Sequence, residues 1–397
     1  MTTSNKHAFT FGLISTFIAA IGFGIISPVL PFLVKSYTSS SSQQALMVTS
    51  LTAIYALFQF LMTPTLGALS DRFGRKPVLL LCLLGSAVGY FLFGFGGALW
   101  ILFLGRIIDG ITGGNIATIL AYFADITPAD ERTKYFGWVS AIVGTGTVLG
   151  PSLGGFLAHF GNSVPLYFGA ALSLVNFIYG YFFMPESLSN DKRAGQISIL
   201  QLNPITQLLG VFTMKNLRPL LTTGFLIWFA SSGLQGIFSQ FLLSNFAWSA
   251  VLIGLAFSIL GVMDIVAQTF IMPHLIKRFS DQFIIKLGLC FEIAGYLLMA
   301  IAAIAHQPIL IVAALFLYGF GDSIFGPAFN GAVSKAATES EQGRVQGASQ
   351  SLRAFTLIAG PLVAGLLYNL TSSLPMIFGA MLLIIALLTA TKKSRQI

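Results

Sequence analysis

Long charge-free apolar stretches alternate along this chain with short clusters of charged, Gly and Pro residues. About 20 apolar residues in a helix cross a hydrocarbon core of roughly 30 Å. Twelve stretches reach that length: 9–33, 46–69, 77–97, 99–122, 135–158, 165–184, 219–243, 250–273, 283–304, 308–331, 345–369 and 373–391. Two of the divisions rest on turn residues, Gly161 to Pro165 and Asn369 to Pro375, which split longer apolar runs. The pattern predicts an all-α integral membrane fold of twelve transmembrane helices in two pseudo-symmetric six-helix bundles. Its longest interruption, residues 185–218, holds Glu186, Asp191, Lys192, Arg193 and Asn203-Pro204. It reads as a cytoplasmic linker between a bundle over 1–184 and a second over 219–397. The first apolar run continues without a small-residue cleavage site, so it reads as a retained span and not a signal peptide.

The halves echo each other. Gly137, Gly150, Pro151 and Gly155 recur 210 residues later as Gly347, Gly360, Pro361 and Gly365. Chance seldom aligns a Gly-Pro pair together with two flanking glycines. A weaker copy relates residues 67–76 to 274–281. Duplicated halves with a cavity between them are the architecture of many secondary transporters, whose halves rock around a midplane site.

Composition narrows the solvent. Of 397 residues 55% are hydrophobic and 9% charged, with a mean hydropathy of +0.85, too few charges to cover a water-soluble surface. Sorting the 21 Lys and Arg by loop places 18 on one side, with Lys35 opposite and Arg106 and Arg353 inside spans. The positive-inside rule then puts both termini in the cytoplasm. Topology thus accounts for the net charge of +8, and no nucleic-acid partner is expected. Cys82 and Cys290 fall in apolar runs, which favours packing over a disulfide or metal site. Gly144-Thr145-Gly146 has no βαβ context and no Walker-type loop is present, so no nucleotide cofactor is expected. A proton gradient is the expected energy source. His7, His159, His274 and His306 lie near span ends and suggest no metal site.

Three segments carry a family resemblance. Gly67 to Pro77, containing Asp71, Arg72, Gly74 and Arg75, resembles the loop signature between the second and third helices of the major facilitator superfamily. Leu104 to Gly110 resembles that superfamily's fourth-helix motif. Gly144 to Gly155, with Gly150, Pro151 and Gly154, resembles the fifth-helix motif of its antiporters. Among twelve-helix drug/proton antiporters the chain is most similar to the tetracycline/proton group, over nearly its whole length. The resemblance implies a bacterial inner (plasma) membrane protein, expected as a monomer, that exchanges a small-molecule substrate for protons. Physically, Gly67 lets two helices pack, while Asp71 can accept hydrogen bonds from the next helix N-terminus and pair with an Arg, a latch for one conformation, with a local anchor as the alternative. The fifth-helix glycines clear one face, and Pro151 removes a backbone hydrogen bond. Pro28 and Pro31 suggest a bent first helix.

Four of the 13 acids fall within spans: Asp109, Asp264, Glu292 and Asp322. Such groups cost about 2.5–3.5 kcal/mol at a membrane centre and so face partners or a watery cavity, where reversible protonation is the expected chemistry. Glu292 coincides with an acidic ninth-helix position of the resembled antiporters, and Asp264 with a histidine linked there to proton movement. Asp322 stands where they carry glycine, and Gly89 where they carry an acid. Arg106 and Asp109 are one turn apart and can pair. Arg353 has no acid in its own turn and reaches across the bundle, with Asp322 as the expected partner, or binds an anion. Tyr55, Gln59, Asn115, Gln235, Gln240, Asn330 and Gln350 are candidate cavity-lining residues or interhelical hydrogen-bond partners. A facilitator-fold carrier of a metabolite, lipid or siderophore is the alternative to drug export, and a membrane sensor without transport a third. No nucleophile with a base and orienter marks an enzyme.

Overall fold

The computed structural model describes residues 3–127, 132–193, 218–336 and 342–392. These residues form helices joined by short turns and connections, with no strand among them. Two compact units emerge, residues 1–37 with 54–204, and residues 38–53 with 205–397. Of the expected linker, residues 194–217 lie outside the described ones. So do several basic residues used for orientation, Lys215, Lys393 and Arg395 among them.

In the first unit α1 (Thr3–Ile25) stops at a turn through Ser27 and Pro28, and α2 (Leu30–Lys35) restarts with Pro31 in its first turn. The first span is therefore broken, not merely bent. Proline lacks a backbone donor but suits a helix start, which fixes the restart. The lower part of α3 (Ser41–Phe73) follows, then α4 (Arg75–Phe95). The next span is split into α5 (Leu99–Gly113) and α6 (Ile116–Ile126) at Gly114-Asn115. It is followed by α7 (Arg132–Leu157) and α8 (Val164–Phe183). Here α1 packs on α7 and α8, and α4 on α5 and α8. Phe11, Tyr122, Phe123 and Met184 form a dry centre with Leu79 and Leu83.

The second unit takes in the start of α3 with α9 (Arg218–Phe246), α10 (Ala250–Val266), a π-helical turn (Ala267–Ile271) and α11 (Met272–Arg278). Then come α12 (Asp281–Ala305), α13 (Pro308–Ala336), α14 (Gln342–Tyr368) and α15 (Leu374–Lys392). Ser249 and Ser280 cap α10 and α12 by accepting from the N–H groups of Leu252 and Phe283. In this unit α12 packs on α13 and α15, and α9 on α14 and α15. Among the described residues ten helices are long and apolar enough to cross a membrane, and Phe9–Gly22 and Leu374–Ala390 are shorter apolar helices. Together they occupy the twelve positions read from the sequence. Large apolar side chains such as Trp100, Phe182, Ile309 and Leu370 lie on the outside, 66–71% exposed, as a lipid-facing surface requires.

The 210-residue repeat makes the same contact in each unit. A Cβ built on Gly24 of α1 would lie 2.6 Å from Pro151 of α7, and one on Gly236 of α9 would lie 2.6 Å from Pro361 of α14. Gly146, Gly150 and Gly154 share one face of α7 and press on α1, as Gly360 of α14 presses on Ser232 and Gly233 of α9. The bare faces let backbones approach where lipid gives no hydrophobic driving force between helices. Gly67 and Gly144 differ: a Cβ on either meets nothing within 4 Å, so the helix packing expected of Gly67 is not found.

At the crossing of α12 and α13, a Cβ on Gly295 would stand 2.8 Å from the backbone N of Tyr318. Gly295→Ala is expected to destabilise the protein by about 1–3 kcal/mol through overpacking. Gly347→Ala, into open space, should leave stability unchanged or slightly raised. Thermal unfolding of the purified protein in detergent checks this, and equal melting of the two variants would contradict the assigned contact.

Candidate functional site

A cavity of about 340 Å³ lies within the second unit, walled by α9, α10, α13 and α14 and by the π-helical turn. It brings together six residues singled out in the sequence: Gln235, Asp264, Asp322, Asn330, Gln350 and Arg353. Trp228, Gln268, Tyr318 and Phe329 also line it, and the sequence reading did not select them. Gln268 was legible in principle, being a polar residue four positions after Asp264 on an apolar helix. Its Nε2 donates to Asp264 Oδ1 at 2.7 Å. The π-helical turn that carries Gln268 precedes Pro273. A proline ring displaces the carbonyl four residues back, and a widened turn lets the freed backbone groups find partners.

Asp264, Asp322 and Arg353 stand on three different helices. Among the described residues Arg353 has no carboxylate within ion-pair distance, and Asp322 has neither an ion pair nor a hydrogen-bond donor. The backbone carbonyl of Arg353 accepts from Thr356 Oγ1 at 2.7 Å, and Arg353 lines the cavity. Trp228 meets Phe329 edge to face at 5.4 Å, and Phe325 stacks on Phe329 at 5.2 Å, giving one aromatic wall.

Two expected residues are elsewhere. Glu292 is 0% exposed, enclosed between α12 and α13, and neither carboxylate oxygen has a hydrogen-bond partner. Gly321 of α13 lies against it: a Cβ there would stand 2.9 Å from Glu292 Cγ. The neighbouring residue, Asp322, lines the cavity, whereas Glu292 does not. Gln240 is also fully buried, with Nε2 donating to Ser244 Oγ at 2.7 Å. It belongs to a hydrogen-bond cluster with Ser41 and does not line the cavity.

In the first unit Arg106 Nη1 pairs with Asp109 Oδ2 at 3.1 Å, both side chains buried. The Arg106 guanidinium also lies over the Tyr55 ring, 4.2 Å from its centroid. Gln59 Nε2 donates to the carbonyl of Gly113 at 3.0 Å and to Tyr55 Oη at 3.3 Å. Close approach explains the grouping, because Cβ atoms on Gly110, Gly113 and Gly114 would meet α3 at 2.7–3.0 Å. Asn115, buried, marks the break between α5 and α6. Gly89 faces Asp109 across the same crossing, a Cβ there lying 2.9 Å from Asp109 Cβ.

The 67–77 loop is knotted by charge. Arg75, 7% exposed, pairs with Asp71 and with Asp125 Oδ2 at 3.2 Å, and donates to Ser70 Oγ at 2.6 Å. The N-terminus of α4 is capped by Glu186, whose carboxylate accepts from the N–H groups of Arg75 (2.8 Å) and Lys76 (3.2 Å). This corrects the expectation for Asp71, which pairs with Arg75 but does not cap. Gly74 is needed at this junction, since its φ of 104° leads the chain past Glu186. Arg72 lies outside the knot, over the Phe73 ring. Asp125 and Glu186 were missed because they lie 50 and 111 residues from Arg75, with no local signal of contact.

Residues 12–361 match the model of the Major Facilitator Superfamily. The chain is 36% identical to the class C tetracycline resistance protein of Escherichia coli, over 93% of this chain and 92% of that one. It is 30% identical to multidrug resistance protein 2 of Bacillus subtilis (strain 168), over 98% and 96%. In fold it resembles the crystal structure of the human organic anion transporter MFSD10, with a TM-score of 0.71 and 23% identity over 97% of this chain and 99% of that one.

Removing one member of a buried ion pair leaves the other uncompensated, at a cost of about 3–5 kcal/mol. Asp109→Asn is therefore expected to lower the melting temperature more than the double variant Arg106→Gln/Asp109→Asn. A double variant that melts below the single one would refute the closed pair.

Proposed function

Because the chain belongs to the Major Facilitator Superfamily, we propose that it is a proton-coupled antiporter that exports a small amphipathic drug by alternating access. The observation that carries the reading is the second-unit cavity, which gathers Asp264, Asp322 and Arg353 around an aromatic wall. Near full-length similarity to a tetracycline resistance protein and a multidrug resistance protein supports it. The two bundles are 1–184 and 219–397, joined by a cytoplasmic linker over 185–218. The protein acts as a monomer in a bacterial inner membrane, with both termini cytoplasmic, without enzymatic chemistry and with the proton gradient as its only energy source.

Glu292 is the principal proton carrier. In the enclosed arrangement it has no donor to stabilise a charge, and its neutral form suits that site. Loss of the proton requires α12 and α13 to open at Gly321, so protonation and conformation are linked. Asp264 and Asp322 meet substrate and proton in the cavity, and Asp109 serves Arg106 in the first unit. The Asp71, Arg75, Asp125 and Glu186 knot latches the end of α3 and α4 in one state. A ligand shifts such an equilibrium only through different affinities for its two states.

Purified protein in liposomes should move tetracycline against its gradient when a proton gradient is imposed. Glu292→Gln should reduce that driven flux by about tenfold or more while tetracycline binding stays within a few-fold, the signature of lost linkage. Flux that ignores the proton gradient would sink the proposal.

A further inference from the structure

The charged joint of the first unit recurs in the second with its signs exchanged. Aligned at a spacing of 206 residues, Asp71, Arg72, Phe73 and Arg75 are matched by Lys277, Arg278, Phe279 and Asp281. Asp125, near the end of α6, is matched 210 residues later by Lys335, near the end of α13. Both pairs form: Arg75 Nε lies 3.2 Å from Asp125 Oδ2, and Lys335 Nζ donates to Asp281 Oδ2 at 2.6 Å. The exchange alters the local charge balance. In the first unit Arg72, Arg75, Lys76 and Arg193 stand beside Asp71, Asp125 and Glu186. In the second, Asp281 is taken by Lys335, and among the described residues Lys277, Arg278 and Lys286 have no carboxylate within 4.0 Å. Glu339 and Glu341 lie outside the described residues.

These unanswered charges adjoin an apolar surface. Phe279, just past the end of α11, stacks on Phe283 in the first turn of α12, with ring centroids 4.6 Å apart. Both residues are 44% exposed, and Phe270 and Ile276 are exposed as well. Lys277 and Arg278, both exposed, directly precede Phe279. Lys286 follows Phe283 by three residues and so stands on the same face of α12. Long basic side chains lay their methylene stems along apolar surface and keep their charged heads at its polar margin. We infer that the joint between α11 and α12 binds an anionic phospholipid, with Lys277, Arg278 and Lys286 on its phosphodiester and the Phe279 and Phe283 rings against its acyl chains. The phosphodiester supplies the charged acceptors that Asp71, Asp125 and Glu186 supply in the first unit. A soluble anion would leave the rings uncovered, and a zwitterionic headgroup brings an ammonium of its own to a site that already has three cations. The site is independent of the substrate that the cavity takes.

The test measures lipid binding to the purified full-length protein by native mass spectrometry, with phosphatidylglycerol and phosphatidylcholine of the same acyl chains as probes. Phosphatidylglycerol should bind more tightly, and Lys277→Gln/Arg278→Gln should weaken it about tenfold or more while phosphatidylcholine binding stays unchanged. The charge-matched variant Arg72→Gln/Lys76→Gln, in the joint that has its own acids, should leave phosphatidylglycerol binding within a few-fold. Inorganic phosphate in excess should not displace the lipid, because it cannot cover the rings. Where a variant fails to fold, a photoactivatable phosphatidylglycerol reads the site on the unaltered protein, and its crosslinks should fall between Ile276 and Lys286. Equal weakening in the two double variants would overturn the inference, since net charge alone would then set binding. Displacement by phosphate, or crosslinks confined to other segments, would overturn it as well.

Discussion

The constraint on which this structure depends is that the bilayer supplies no hydrogen bonds and no counter-charges, so polar groups must be answered from within the protein. Helices answer it for the backbone. For packing, the chain uses bare glycine faces in place of a hydrophobic drive: Gly150 against α1, Gly360 against α9, Gly105 against Gly89, and Gly288 against Gly321. Because these contacts are backbone on backbone, they fix helix positions closely and leave side chains such as Asp109, Glu292 and Asp322 in defined places beside them.

The same constraint is met by charges in three different ways. Arg106 and Asp109 cancel within one helical turn. Arg75 is surrounded by Asp71, Asp125 and Ser70 at the loop end of α3, where Glu186 caps the next helix. In the second unit the charges are left open, with Arg353 and Asp322 facing a cavity and Glu292 enclosed without a donor. The duplicated halves share their glycine contacts and differ in how their intramembrane charges are met.

The helices were legible because crossing length and charge exclusion are one-dimensional properties, and the 210-residue repeat was legible because Gly-Pro pairs are rare. The intramembrane acids stood out for the same reason, since cost makes them scarce. What the sequence hid was proximity. Nothing local tells that Asp264, Asp322 and Arg353 share one cavity while Glu292 and Gln240 are shut away from it, nor that Glu186 reaches back to α4 across 111 residues. Side-chain direction on a helix of uniform hydrophobicity carries no amphipathic signal. The break at Pro28 and the π-helical turn before Pro273 mark a related limit, because proline announces a disturbance without stating its form.

Glu292 and Asp322 show how these features act together. Gly321 presents only backbone to Glu292, and the next residue turns its carboxyl to the cavity. A larger residue at 321 would push α13 from α12 and let water reach Glu292 permanently. Glycine instead lets the two helices close on Glu292, which is 0% exposed. Asp322 thus lines the cavity while Glu292, behind Gly321, is enclosed.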